Sequence, residues 1–539
     1  MAEEFSEKEK EMLAPFVSNM DKSIFVLTNL PEVVKGALFS RYSRTPKSVR
    51  RVLLEEFMLS SELGMKEMLG TDVPKANALV QTKKAEEFYD RVLVGYGDDS
   101  VAELAGAHIA IEDISIVATK VLEDARLGLS PLEKSTRYVY FDVKRADGTW
   151  PYYREKTLVG SEFADGYTKT CDLCFQTYAD LIPKISEFVM KREPKPADVS
   201  DRAYASSVRA KTCDILRGLL PASTLTNMGF FGDGRAYEYL LTRMYGDDLV
   251  EMQDIAAGMQ AELGKVIPSF VKRASNKHGI AMQGFYKRVR NDMGKIAAKH
   301  SGASGSGMEI VLVDYDRDAE KKILIAALYP YLNKPMKEIG AIVDRMSAAE
   351  KETVVKAYIN ERENRRQKPG RAFEHAYYTF DICANFGCYR DMHRHRVLTQ
   401  QRQLLTAEHG YTLPKEIVES GYEKEFKGAM DAAKDAYRQI AKRYPKEAQY
   451  VVPLAYNIRW YMTLNLREAY HTLELRSAMQ GHIDYRRIAQ EMFRQIEKTH
   501  PLLASGMKFM DMKEYSLERL EAEKNIDRKM AEIGKKYAK

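Results

Sequence analysis

The sequence predicts an α+β domain that occurs twice in one chain. Three observations carry this reading. Runs at 107–111 and 376–380 alternate apolar and polar residues, the period of a strand, and each leads into a segment with helical periodicity, 114–123 and 384–393. Motifs on one side of a small, polar linker at 299–307 reappear in order on the other side. The remainder is dominated by amphipathic helical patterns at 252–266, 424–443, 464–475 and 485–496.

The linker, Lys299-His-Ser-Gly-Ala-Ser-Gly-Ser-Gly307, has nothing to bury. It divides a first repeat at 1–298 from a second at 308–539. The second opens with Ile310-Val-Leu-Val-Asp-Tyr315, which reads as a buried strand, then a helix at 320–328. Across the linker, Ser100-Val-Ala-Glu103 matches Arg371-Ala-Phe-Glu374, Leu220-Pro221 matches Val452-Pro453, and Arg235 matches Arg467. Glu374 lies 271 positions after Glu103, whereas the later pairs are offset by 232. One insertion of 39 residues in the first repeat, within 139–200, accounts for the difference. Charged amphipathic segments at 7–20 and 514–536 read as packing helices at the ends.

Composition bounds the function classes. The 539 residues are 45% hydrophobic and 30% charged with a net charge of +6, which argues against a dedicated nucleic-acid coat. No apolar run reaches membrane length and the first residues form no signal peptide, so the expectation is a cytoplasmic protein with no membrane partner. Cys171 and Cys174 form a Cys-x-x-Cys pair with no companion pair nearby. Together with Cys213, Cys383 and Cys388 they read as apolar core positions, and no metal site is expected.

The densest chemistry lies at 390–402, where Arg390, His393, Arg394, His395, Arg396 and Arg402 fall within thirteen residues. Phe386, Tyr389 and Met392 place a helix just before the cluster. So many cations at a helix end repel one another unless an anion sits among them. The segment is either a solvated basic face, a nucleic-acid patch, or a phosphate site whose guanidinium forks match phosphate oxygens. Downstream come Asn465-Leu-Arg467, His471 and Arg476. Arg467 and Arg476 lie about a half-turn apart on one helix, so one can reach a ligand and the other a structural carboxylate. In the first repeat, Glu133-Lys-Ser135-Thr-Arg137-Tyr138 puts a hydroxyl and a guanidinium at alternate positions of a loop or strand, a pair suited to phosphate. Arg217 stands before Pro221, which reads as a helix start. Taken alone, Arg217 reads as a surface salt bridge.

This set of motifs resembles the flavin-dependent thymidylate synthases. That family carries Arg-His-Arg, seven residues, then Ser-x-Arg-Tyr; a Gly-His-x-Ser/Thr-x-x-Glu-His segment before a strand; Arg-x-x-Leu-Pro; and Asn-x-Arg with a further Arg at the end of the same helix. The resemblance covers about 35–140, 205–265 and 308–500. It implies a tandem repeat of a thymidylate-synthase-complementing-type α+β domain, an antiparallel sheet with long helices, forming a pseudo-dimer. The departures are complementary. The second repeat keeps Arg394-His395-Arg396 but has Leu404 and Thr406 at the Ser and Arg positions, and Gln449 before Val452-Pro453. The first repeat has Glu123-Asp124-Ala125-Arg126 at the triplet and Asp98 and Ser100 in the upstream segment, yet keeps Ser135-Thr136-Arg137-Tyr138 and Arg217.

Each repeat therefore holds what the other lacks, which predicts composite sites built from both. The resemblance implies FAD, with NADPH and methylene-tetrahydrofolate as cosubstrates, and dUMP or a similar pyrimidine nucleotide as substrate. By family position Arg476 is the catalytic group near the uracil, with Arg243 its first-repeat counterpart. Ser135, Arg137, Arg217, Glu133 and Arg243 would hold the nucleotide. Arg394, His395, Arg396, Glu374, Ser100, Glu103, Asn465 and His471 would contact FAD. A homodimer of tandem chains, a pseudo-tetramer, would follow, with no nucleic-acid partner. The altered positions leave room for a related modifier such as a hydroxymethylase, or for a chain that binds flavin or nucleotide without turnover.

Overall fold

Seven strands among the described residues form two sheets, and all registered pairs are antiparallel. The computed structural model describes residues 4–43, 45–59, 99–125, 127–300, 302 and 309–537, without the side chains of 99–101. Most of the linker, Asp98 and Arg126 lie outside them. The chain forms two compact units. One comprises Met1–Ile114, Val121–Lys134 and Thr226–Gly302; the other Ser115–Lys120, Ser135–Leu225 and Ala303–Lys539. The unit boundaries thus differ from the linker boundary read in the sequence, because 135–225 packs with the second repeat.

In the first unit, β1 (Gly106–Ser115), β2 (Leu129–Glu133) and β3 (Leu225–Asp233) lie in the order β1-β3-β2. Asp233 ends β3 and caps the helix Gly234–Tyr245, its Oδ1 accepting the Ala236 amide at 2.8 Å.

In the second unit, β4 (Glu309–Tyr315), β5 (Tyr377–Asn385), β6 (Leu398–Arg402) and β7 (Asn457–Asn465) lie in the order β4-β5-β7-β6. Alternation along β5 and β7 builds the core. Tyr378, Phe380, Ile382 and Ala384 stand opposite Leu464, Met462, Trp460 and Ile458, and all eight are buried. β4 is a strand as expected but not a buried one. As the edge of the sheet it leaves Val311 and Val313 exposed. Asn385 and Asn465 end β5 and β7 and cap the following helices, Phe386–Met392 and Leu466–Arg476. Their Oδ1 atoms accept the Cys388 and Glu468 amides, each at 2.9 Å. The segment read as an insertion contains the helix Ala164–Arg192, whose buried stripe includes Tyr167, Cys171, Cys174, Phe175 and Tyr178. Burial pushes the Cys171 thiol up to about 12, consistent with a core role.

The repeat is visible in backbone hydrogen bonds inside this unit. Ala222 N donates to Val452 O and Leu454 N to Leu220 O, both at 2.9 Å. Ser223 N donates to Tyr450 O and Ala455 N to Gly218 O. In each pair one bond is the image of the other at the 232-residue offset, so equivalent segments pair with one another about a local two-fold. The approach is close: a Cβ on Gly218 would stand 3.1 Å from that of Ala455.

Two helix readings need correction. Pro221 starts no helix; its backbone is held in the pairing with Pro453 and leads into β3. At the ends, only Glu7–Leu13 and Leu520–Tyr537 are helical, so 14–20 and 514–519 are not. Pro15 lies just past the first helix, where a helix commonly stops.

Candidate functional site

Ser135, Thr136 and Arg137 lie in a turn after β2 rather than in a strand. Ser135 Oγ accepts the Arg137 amide at 3.2 Å and so shapes the turn. Arg137 is buried. Its Nε and Nη2 donate to the two oxygens of Asp214 at 2.7 and 2.6 Å, and its Nη1 to the Tyr485 hydroxyl at 3.0 Å. Asp214 comes from the helix Asp201–Leu216, and Tyr485 from the helix Ile483–Thr499. Burial alone would raise the Asp214 carboxyl. The charge and hydrogen bonds of Arg137, together with His482 and Arg217, outweigh it and hold the group at about 2.

Arg217 follows the helix Asp201–Leu216 and is 4% exposed, so it is not a surface salt bridge. Its Nη1 donates to Asp391 Oδ2 at 3.3 Å, and its buried Nη2 has no hydrogen-bond partner among the described residues. Asp391 lies on the helix Phe386–Met392. Burial opposes its ionisation, but Arg217, Arg394, Arg137 and Arg476 together hold its carboxyl well below the usual range. Four arginines singled out in the sequence, two from each repeat, thus act on one carboxylate within one unit.

His395 is buried and completes the arrangement. Arg476 Nε donates to His395 Nε2 at 2.9 Å, while Nδ1 faces Thr472 Oγ1 at 2.9 Å and Glu468 Oε1 at 3.2 Å. Burial, Arg476 and Lys368 hold the imidazole well below its ordinary pKa, so it is neutral at pH 7. The guanidinium of Arg476 stands 5.6 Å from the centre of the Tyr485 ring, and that of Arg137 stands 5.7 Å from it. Tyr485 therefore contacts an arginine from each repeat.

Other residues singled out in the sequence lie elsewhere or are engaged within the chain. Arg394 and Arg396 are exposed on either side of His395. Glu374 pairs with Arg467 at 3.2 Å. Asn465 spends its amide oxygen on the helix cap. His471 stacks edge-on to His395, 5.6 Å between ring centres, and burial lowers it to about 4. Glu133, Arg243 and Glu103 belong to the first unit, where Glu103 pairs with Arg235 at 2.7 Å and Arg243 lies over Tyr239. Ser100 belongs to it too, its side chain outside the described set.

Asp214, Asp391, Glu468, Thr472 and Tyr485 were not singled out in the sequence. Asp391 sits inside the basic segment, and its sign against so many cations was a legible signal. Glu468, Thr472 and Arg476 fall every four residues on one helix, a second such signal. The other two carry none.

Among the described residues, two clusters could ligate a metal: Cys388, His482 and Asp484, and His395, Glu468 and His471, each with donor atoms within 4.8 Å. Both include groups already hydrogen-bonded within the chain. A cavity of about 470 Å³ opens at Arg217 and is lined among others by Asp214, Lys211, Asn385 and His482. That volume falls within the usual range for small-molecule pockets, roughly 300–1,000 Å³.

The sequence profile of the family described as thymidylate synthase complementing protein matches residues 51–269 and 311–502. The chain is 46% identical to a UPF0159 protein of Chlamydia muridarum, over 96% of this chain and 98% of that one. It is 28% identical to a flavin-dependent thymidylate synthase of Sulfolobus acidocaldarius, over 36% of this chain and 75% of that one. Among solved structures, a UMP/dUMP methylase, PolB, from Streptomyces cacaoi bound with 5-Br UMP is similar at 16% identity and a TM-score of 0.30, covering 39% of this chain and 98% of that one.

Proposed function

Because this chain belongs to the thymidylate synthase complementing protein family, we propose that it is an FAD-dependent enzyme that methylates dUMP to dTMP, with methylene-tetrahydrofolate as carbon donor and NADPH as reductant. The observation that carries this reading is the meeting of Arg137 and Arg217 with Arg394, His395 and Arg476 around Asp391. It agrees with a composite site assembled from complementary repeats.

In that site Arg217 has an unused, buried N–H for a phosphate oxygen, and Ser135 and Arg137 would hold the nucleotide beside it. Arg476 would stabilise negative charge that develops on the uracil carbonyl. A donor held in place beforehand acts without reorganisation at the moment of reaction.

The pyrophosphate of a dinucleotide would suit the charge of Arg394 and Arg396, which are exposed on either side of the buried His395. His471 and Glu374 would serve the same cofactor; His395 is bonded through both ring nitrogens inside the chain, and Asn465 spends its amide oxygen on the helix cap. When bound, FAD would supply the hydride, and the side chains would orient and hold the reactants. Ser100, Glu103, Glu133 and Arg243 would serve a second site, in a homodimer of tandem chains located in the cytoplasm. Among the described residues no helix is long and apolar enough to cross a membrane.

The test is a product assay. The purified chain is incubated with dUMP, NADPH and methylene-tetrahydrofolate, and the nucleotide product is weighed by mass spectrometry. Thymidylate is expected. A hydroxymethylated product would move the reaction to a related modifier, and a chain that neither absorbs as a flavoprotein nor binds FAD would refute both.

A further inference from the structure

An arginine N–H only donates. Since Arg476 Nε points at His395 Nε2 from 2.9 Å, that nitrogen must offer its lone pair, and the ring proton must sit on Nδ1. The surroundings of Nδ1 agree. Thr472 Oγ1 donates to Glu468 Oε1 at 3.0 Å, which leaves its oxygen to accept the Nδ1–H at 2.9 Å. Glu468 Oε1, at 3.2 Å, shares that proton. Every donor then meets an acceptor. In the other tautomer, two donors would face each other between His395 and Arg476. Protonation would do the same and add like charges in contact.

The placement follows from the helix Leu466–Arg476. Glu468, Thr472 and Arg476 recur every four residues and so share one face. The Glu468 end is anchored because its amide donates to the Asn465 cap. His395 lies against this face, and both it and Thr472 are buried.

We infer that Thr472 and Glu468 are positioning residues: they hold His395 as its Nδ1–H tautomer, so that Nε2 aims the Arg476 guanidinium across Tyr485. The relay stands on its own hydrogen bonds. Only the identity of what Arg476 acts on rests on the functional reading above.

Selective ¹⁵N labelling of the ten histidines in the full chain tests the relay directly. At neutral pH one signal pair, absent from His395→Asn, should report a neutral Nδ1–H imidazole. Thr472→Val should shift that pair toward the other tautomer or an averaged state, and Thr472→Ser should restore it. In turnover with dUMP, Thr472→Val should lower kcat about 10–100-fold, as expected when a reacting group is misplaced by an ångström or less. KM for dUMP should change little, and Thr472→Ser should recover most of the rate. Finding His395 in the Nε2–H form or as imidazolium in the unmutated chain overturns the inference. So does a Thr472→Val chain that keeps both tautomer and kcat. A chain that shows the tautomer but turns nothing over would refute the functional reading and leave the relay standing.

Discussion

Asp214→Asn removes one charge from the most tightly bonded ion pair of the candidate site while nearly preserving its shape. Asp214 and Arg137 have side chains 9% and 8% exposed, so water cannot replace what is lost. The carboxyl drops from its ordinary ~3.9 to about 2, which makes the ionised form worth about 2–3 kcal/mol to the folded state. Breaking a buried pair from one side typically costs about 3–5 kcal/mol, because the remaining charge is stranded. The Tyr485 hydroxyl and the Gln480 carbonyl still receive Arg137, so a loss near 3 kcal/mol is expected at pH 7. The sign follows from the depressed folded-state pKa. The contribution is complete above pH ~4, about half gone near pH 3, and lost as pH falls through 2. Both tryptophans, Trp150 and Trp460, are buried in the second unit, so their fluorescence during urea unfolding reports this unit. A loss below about 1 kcal/mol at pH 7, or a gap between variant and parent that is the same at pH 3, would refute the electrostatic reasoning.

Asn465→Ala should cost about 1 kcal/mol in urea midpoint analysis by loss of the helix cap, whereas Asn465→Asp should keep it. If Asn465→Asp keeps stability yet abolishes FAD binding, the amide nitrogen touches the cofactor; an Asn465→Ala chain of unchanged midpoint would refute the cap. His395 and His471 both have folded-state pKa values below the ordinary 6.5, the latter near 4. The unfolded chain therefore takes up protons first, and stability should fall as pH drops from about 6.5 toward 4. Glu468 opposes the shift of His471, while Lys368, His395 and Arg365 reinforce it. A flat urea midpoint across that range would refute this.

Periodicity and residue type alone determined much of the fold. β5 could be placed because its residues alternate, and the helices after β5 and β7 because 384–393 and 464–475 carry the helical period; β7 itself went unread. The repeat was legible from matched motifs on the two sides of the linker. The same pattern misjudged β4, since an apolar run does not say whether a neighbour covers its second face. It also misjudged Pro221, since a proline that cannot continue one element does not say which element follows.

The candidate site divides the same way. Arginines and histidines that share a segment announce themselves, so Arg394, His395, Arg137, Arg217 and Arg476 were all singled out. What neutralises and aims them was not. Asp214 lies 77 positions from Arg137, and Tyr485 lies 348 positions from it. Local order in a chain carries helix faces, strand alternation and caps, because those interactions span a few residues. Which carboxylate meets which guanidinium, and which lone pair an imidazole must present, depends on contacts between distant segments. Only the tertiary structure decides those, because burial removes the water that would otherwise satisfy each group separately.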